Sequence, residues 1–119
     1  MDDQEPNQLP VPAGSFLEFD WDEGNLTHIG ANAGRNYPPE EIESVWQDAH
    51  AILVRDAGHS AAEVRYSITG RTTKGKLRTV IFTLRGTKIR PITAFTPTRK
   101  VRRLYAKASE QANTEGPKT

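Results

Sequence analysis

The sequence predicts a small α+β domain: an antiparallel sheet of four or five strands, two helices before it and one after it, with the helices on one face. Three observations predict it. An apolar stripe at helical spacing, Ile42, Val45, Trp46 and Ala49, follows Pro39 and the acids Glu40 and Glu41. From residue 51 onward the apolar period changes from helical spacing to two. A second helical stripe, Val101, Leu104, Tyr105 and Ala108, follows Thr96-Pro97. Strands gathered in one run and flanked by helices give an α+β arrangement rather than alternating βαβ units.

Taken in order, Phe16–Trp21 alternates Phe16, Glu18, Asp20 with Leu17, Phe19, Trp21 and reads as a short strand. Asp22 stands where an N-cap would, and Leu26 and Ile29 lie three apart, which predicts a short helix. Residues 30–38, GANAGRNYP, break it. The second helix has Pro39 in its first turn, where a missing N–H costs nothing, and acids beside its positive dipole end. Ile52–Arg55 reads as a strand. So do Val64–Thr69, with Val64, Tyr66 and Ile68 on one face, and Thr79–Arg85, with Val80, Phe82 and Leu84 on one face. Thr72–Lys76 joins these two strands. Gly86-Thr87, a glycine-first pair suited to a two-residue hairpin, leads into Ile89–Phe95. Pro91 cannot donate to a ladder, so that last strand must lie at an edge or carry a bulge. Thr96 and Pro97 read as N-cap and first residue of the final helix.

The 119 residues are 35% apolar and 26% charged, which allows one domain at most. Residues 1–15, with Pro6, Pro10, Pro12 and Gly14, and residues 109–119, without a large apolar side chain, are expected to be disordered tails around a core of residues 16–108. The absence of cysteine excludes a disulfide framework and thiolate metal sites. No apolar run approaches the roughly 20 residues of a membrane span and no signal peptide is evident, so the expectation is a cytoplasmic protein.

The net charge of +1 conceals an asymmetry. Residues 1–50 carry eleven acids against one base, Arg35. Residues 71–107 carry twelve lysines and arginines and no acid. Such a segment either attracts a polyanion or is answered, after folding, by the acidic first half. The guanidinium groups suit the first reading, because a planar, permanently charged fork holds two phosphate oxygens at once. Arg65 and Arg85 fall on strands read as neighbours, and Arg90 lies across the hairpin from Arg85. On one sheet face they would make a phosphate cradle.

Acid–base cleavage of a phosphodiester held in such a cradle would need a base for the attacking hydroxyl, cations for the phosphorane, and an acid for the leaving oxygen. The acid–base candidates are His28, His59 and Glu63, with Tyr105 as a further donor. Each also has an ordinary structural reading: His28 as a helix residue held against the core, His59 as a loop residue between Gly58 and Ser60, and Glu63 as an ion-pair partner of Arg65 or Arg85. Arg71, Arg78, Arg99, Arg102 and Arg103 join Arg90 as RNA-binding candidates. Three scattered histidines make no metal signature, and no cofactor motif is present.

A colinear set of motifs carries a resemblance. It comprises Phe19-Asp20-Trp21-Asp22-Glu23-Gly24-Asn25 with His28-Ile29, Pro39-Glu40-Glu41-Ile42-Glu43, Arg55-Asp56 with His59, Glu63 and Arg65, and Gly70-Arg71. Phe82-Thr83, Arg85-Gly86, Ile89-Arg90, Thr93-Ala94 and Arg102-Arg103-Leu104-Tyr105 complete it. Over residues 16–105 the chain resembles the BrnT family of toxins from bacterial type II toxin–antitoxin pairs. The resemblance implies a RelE-like fold and metal-independent endoribonuclease activity. It also implies neutralisation by a BrnA-like ribbon-helix-helix antitoxin, through which alone the complex would contact DNA. The chain departs from the family where a Lys/Arg-His-Gly-Val element usually stands: Gly30–Pro38 has no histidine and Arg35 as its only base. Two functions follow as alternatives, an active ribonuclease toxin and a catalytically inactive module that keeps the basic face for nucleic acid or antitoxin.

Overall fold

The structure, a computed structural model, describes residues 17–31, 37–56 and 63–114. The elements are β1 (Glu18–Phe19), α1 (Glu23–Ala31), α2 (Pro39–Ser44), β2 (Ile52–Asp56), β3 (Arg65–Arg71), β4 (Leu77–Arg85), β5 (Lys88–Phe95) and α3 (Arg99–Thr114). Together they form an α+β fold of three helices and one five-stranded sheet in the order β1-β5-β4-β3-β2. Strands β2 to β5 make the antiparallel meander that their alternation predicts. β1 is shorter than predicted and runs parallel to β5, with Glu18 opposite Lys88 and Phe19 opposite Ile89, so the sheet is mixed. Two residues of pairing suffice because the chain then turns into α1, which is fastened to β5 itself.

The register sorts the side chains into two faces. Tyr66 and Phe82 face each other across β3 and β4, as do Ile68 and Val80, and β5 adds Ala94 opposite Val80, Pro91 opposite Phe82 and Ile89 opposite Leu84. This face buries the core: Ile68, Val80, Phe82, Ile89 and Ala94 pack with Leu53 of β2, Ile29 of α1, Ile42 of α2 and Val45. Aromatic rings extend it. Trp46 stands edge-on to Phe82 at 5.0 Å and to Phe19 at 5.1 Å, while Tyr66 stacks on Phe82 at 5.3 Å. The opposite face holds Arg65, Ser67, Thr69 and Arg71 of β3 and Thr79, Ile81, Thr83 and Arg85 of β4.

Pro91 lies at a bulge. The ladder between β4 and β5 shifts between Ile81 and Phe82, so that Thr93 opposes Ile81, Pro91 opposes Phe82, and Ile92 is the extra residue. Gly86 turns the neighbouring hairpin with φ of +65°, a conformation glycine adopts without a Cβ penalty.

The second helix ends earlier than its apolar stripe. After Ser44 the chain tightens into a 3₁₀ turn, Val45–Gln47, and Asp48 is extended, which leaves Ala49 exposed outside the helix. The final helix begins later than Thr96 suggests. Thr98 is its cap, accepting from Val101 N–H through Oγ1 at 3.3 Å and from Arg102 N–H through its carbonyl at 2.9 Å. α3 also continues past Ala108 to Thr114. Tyr105 is the buried apolar residue among its described side chains, and α3 stands outside the main core, docked on the end of β3. Among the described residues no helix is long and apolar enough to cross a membrane. Residues 1–16, 32–36 and 115–119 lie outside the described residues, and so do residues 57–62 with His59.

Candidate functional site

Three arginines singled out in the sequence fall on the face opposite the core. Arg90 of β5 registers with Thr83 of β4, and Arg65 of β3 comes one residue before Tyr66, which registers with Phe82 next to Thr83. Arg85 lies two pairs further along β4 with Lys88 opposite it, where β3 has already ended. With strands about 4.8 Å apart, Arg65 and Arg90 are separated by roughly 10 Å of backbone, and Arg85 is a diagonal neighbour. Thr83 is fully buried and donates from Oγ1 to the Val64 carbonyl at 2.7 Å. This bond ties β4 to the chain just before Arg65.

α1 closes one side of this region. An open pocket of about 360 Å³ is lined by Gly24, Asn25 and His28 of α1, by Glu63 and Arg65, and by Arg90, Pro91 and Ile92 of β5. His28 and Glu63 therefore share a pocket with two of the arginines, while Arg85 is not in its lining. His28 is exposed, not held against the core.

The helix is placed there by a residue the sequence reading did not single out. Asn25 is 4% exposed, and its Nδ2 donates to the Asp20 carbonyl and to the Pro91 carbonyl, both at 2.9 Å. Its Oδ1 accepts from Asp22 N–H at 2.8 Å, while Asp22 Oδ1 accepts from the backbone N–H of Gly24 at 2.9 Å and of Asn25 at 3.3 Å. The two side chains cap each other's backbone, a reciprocal N-terminal arrangement. β1, α1 and the bulge of β5 are thereby stapled together next to Arg90. The local signal in the sequence was the Asp22-to-Asn25 spacing at a helix start, but its target, the Pro91 carbonyl, lies 66 positions away.

Arg90 is not free. Its Nη2 donates to Asp22 Oδ1 at 3.1 Å, and its Nη1 lies 3.0 Å from Asp22 Oδ2 and 3.6 Å from Asp20 Oδ2. The hydrogen bond from Arg90 holds the Asp22 carboxyl below the usual aspartate range. The same bond raises the Arg90 guanidinium further above neutrality.

The remaining basic candidates are spread out. Arg71 shares the Arg65 face but stands at the other end of β3, about 20 Å away at 3.3 Å per residue. Arg78 registers with Gly70 and lies on the other face, its guanidinium 4.7 Å over the Tyr37 ring. Arg99, Arg102 and Arg103 are exposed on α3.

Near Arg71 a second cluster fixes α3. Asp48 Oδ2 accepts from Tyr105 Oη at 2.6 Å and from Arg71 N–H at 2.7 Å, Asp48 Oδ1 accepts from His50 N–H at 2.9 Å, and the Arg71 guanidinium covers the Tyr105 ring at 5.6 Å. Burial pushes the Tyr105 phenol up, and its bond to Asp48 pushes it further, to about 12. Burial also pushes the Asp48 carboxyl up, but the donors from Tyr105, Arg71 and His50 outweigh it and leave it below its ordinary value. Tyr105 is thus a positioning group here rather than an acid facing the pocket. Among the described residues no three His, Asp or Glu side chains meet as a metal site would require.

No curated protein matches the chain. A family model does, over residues 21–100, about two thirds of the chain, and its description is a ribonuclease toxin, BrnT, of type II toxin–antitoxin systems. The match takes in the strand-to-helix corner, the whole meander and the start of α3, the segments that build the arginine face and the pocket beside it. The chain belongs to the BrnT family of ribonuclease toxins, whose members act on RNA and are paired with an antitoxin.

Proposed function

We propose that this chain is a metal-independent endoribonuclease that cleaves RNA through its own 2′-hydroxyl. The observation that carries the reading is the pocket shared by Arg65, Arg90, His28 and Glu63, with Arg85 two pairs along β4 from the Thr83–Arg90 pair. In the reaction the 2′-oxygen attacks phosphorus and loses its proton to a base, while the P–O5′ bond breaks and the 5′-oxygen takes a proton from an acid. The products are a 2′,3′-cyclic phosphate and a 5′-hydroxyl. Arg65 and Arg85 supply the positive charge that the phosphorane needs, a task for which an arginine fork serves without any proton exchange. His28 and Glu63 are the described candidates for the two proton transfers, with His59 four residues before Glu63 in the sequence. Arg71, Arg99, Arg102 and Arg103 hold the RNA backbone beyond the cleaved bond, and the partner that silences the site is a ribbon-helix-helix antitoxin.

The test is purified protein incubated with RNA in EDTA. Fragments ending in 2′,3′-cyclic phosphate are expected, and Arg65→Ala or Arg85→Ala should each slow their appearance by about 10²- to 10³-fold, the usual loss on removing one transition-state donor. RNA that stays intact yet shifts in a gel would make the chain a binding module instead.

A further inference from the structure

The cation nearest to α1 is already engaged with carboxylates of this chain. Arg90 donates from Nη2 to Asp22 Oδ1 at 3.1 Å, while its buried Nη1 lies 3.0 Å from Asp22 Oδ2 as an ion pair without a hydrogen bond of its own. Asp20 adds a second carboxylate at 3.6 Å, so one positive charge faces two negative ones. Gly24 leaves the room for this: a Cβ there would stand 3.2 Å from Asp22 Oδ1 and 3.8 Å from Arg90 Nη2. The Asp22 side chain is 57% exposed while that of Arg90 is 16% exposed, so the carboxylate is the accessible member of the pair.

We propose that Asp22 is an internal competitor of the substrate phosphodiester for Arg90, and that the chain thereby restrains its own affinity for polyanions. The inference rests on the reading of this face as an RNA site. An incoming phosphate needs the same two guanidinium nitrogens and meets the negative charge of Asp20 and Asp22 while they are held. RNA binding must therefore displace Asp22 or forgo Arg90.

The experiment is equilibrium binding of the full chain and of Asp22→Asn to a single-stranded oligoribonucleotide, and separately to heparin, across a salt series in EDTA. Asparagine caps a helix as well as aspartate does, so α1 keeps its start while the charge is lost. D22N should bind RNA roughly threefold or more tightly at low salt, with log Kd against log salt steeper by about 0.7, the release of counterions at one more single-strand phosphate. Adding Arg90→Gln to D22N must abolish the gain. Equal or weaker binding by D22N, or a gain that survives R90Q, overturns the inference. Should D22N melt early, Asp22→Ser, which also caps, carries the same expectation. A gain on heparin with no RNA binding by either protein would sustain the internal competitor and overturn the RNA reading. RNA cleavage by the wild type without a gain in D22N would do the reverse, and no binding of either polyanion would overturn both.

Discussion

Asp48 and Tyr105, 57 positions apart, meet at 2.6 Å and hold the last helix to the sheet. Phenylalanine at 105 would keep the ring under Arg71 and lose only the hydroxyl. The expected cost of Tyr105→Phe is about 1 kcal/mol, the net worth of a typical hydrogen bond, read as a lower midpoint in chemical denaturation. The pH dependence follows from the directions of the two shifts. Tyr105 titrates at about 12 in the folded chain against 10.0 ordinarily, so its contribution is complete below pH 10 and is lost as the pH rises through 12. Asp48 is shifted down, so its contribution is present above its ordinary value of 3.8 and is lost as acid is added through the lower folded value. Wild type and Y105F melted across alkaline pH should therefore converge between pH 10 and 12 and stay apart near neutrality.

At the scale of elements, α3 is long, basic and attached at few points, so its stability is local. Thr98→Ala removes the Oγ1 that accepts from Val101 N–H, and a lost cap costs about 1 kcal/mol. Amide exchange in the first turns of α3 should quicken by about fivefold, with protection in β3 and β4 unchanged. The elements differ in how far the sequence discloses them. The meander was legible because Tyr66 and Ile68, and Val80 and Phe82, keep a strict period of two between recognisable turns. The bulge was legible because Pro91 has no N–H to offer a ladder. The helix ends were not, since Thr96 and Thr98 can both cap a helix and it is Thr98 that accepts from Val101 and Arg102. The parallel pairing of β1 was also hidden, because two residues beside Lys88 and Ile89 leave no periodic trace. For the site, the common face of Arg65, Arg85 and Arg90 followed from alternation and hairpin length. The capture of Arg90 by Asp20 and Asp22 did not, because nothing local links positions that far apart.

For the molecule as a whole, the acidic first half partly answers the basic second half. Asp20 and Asp22 meet Arg90, and Glu41 lies 3.9 Å from Lys74. Other cations stay exposed, among them Arg71, Arg85, Lys88 and the arginines of α3, and these are available to a polyanion. All of it rests on one small core centred on Phe82, which is 0% exposed and contacts both Trp46 and Tyr66. Phe82→Ala should cost 3–5 kcal/mol, a large share of the roughly 5–15 kcal/mol by which such domains are stable, and should bring the urea midpoint down accordingly. The extra residue in β5 carries a last consequence. Up to the bulge the odd-numbered Ile89 and Pro91 point inward, and beyond it the even-numbered Ala94 does, while Lys88 and Arg90 before it and Thr93 and Phe95 after it point outward. A chain one residue shorter at Ile92 would have to turn a guanidinium into the oil or an inner methyl out to water. The count of residues in this strand is therefore as constrained as their kind.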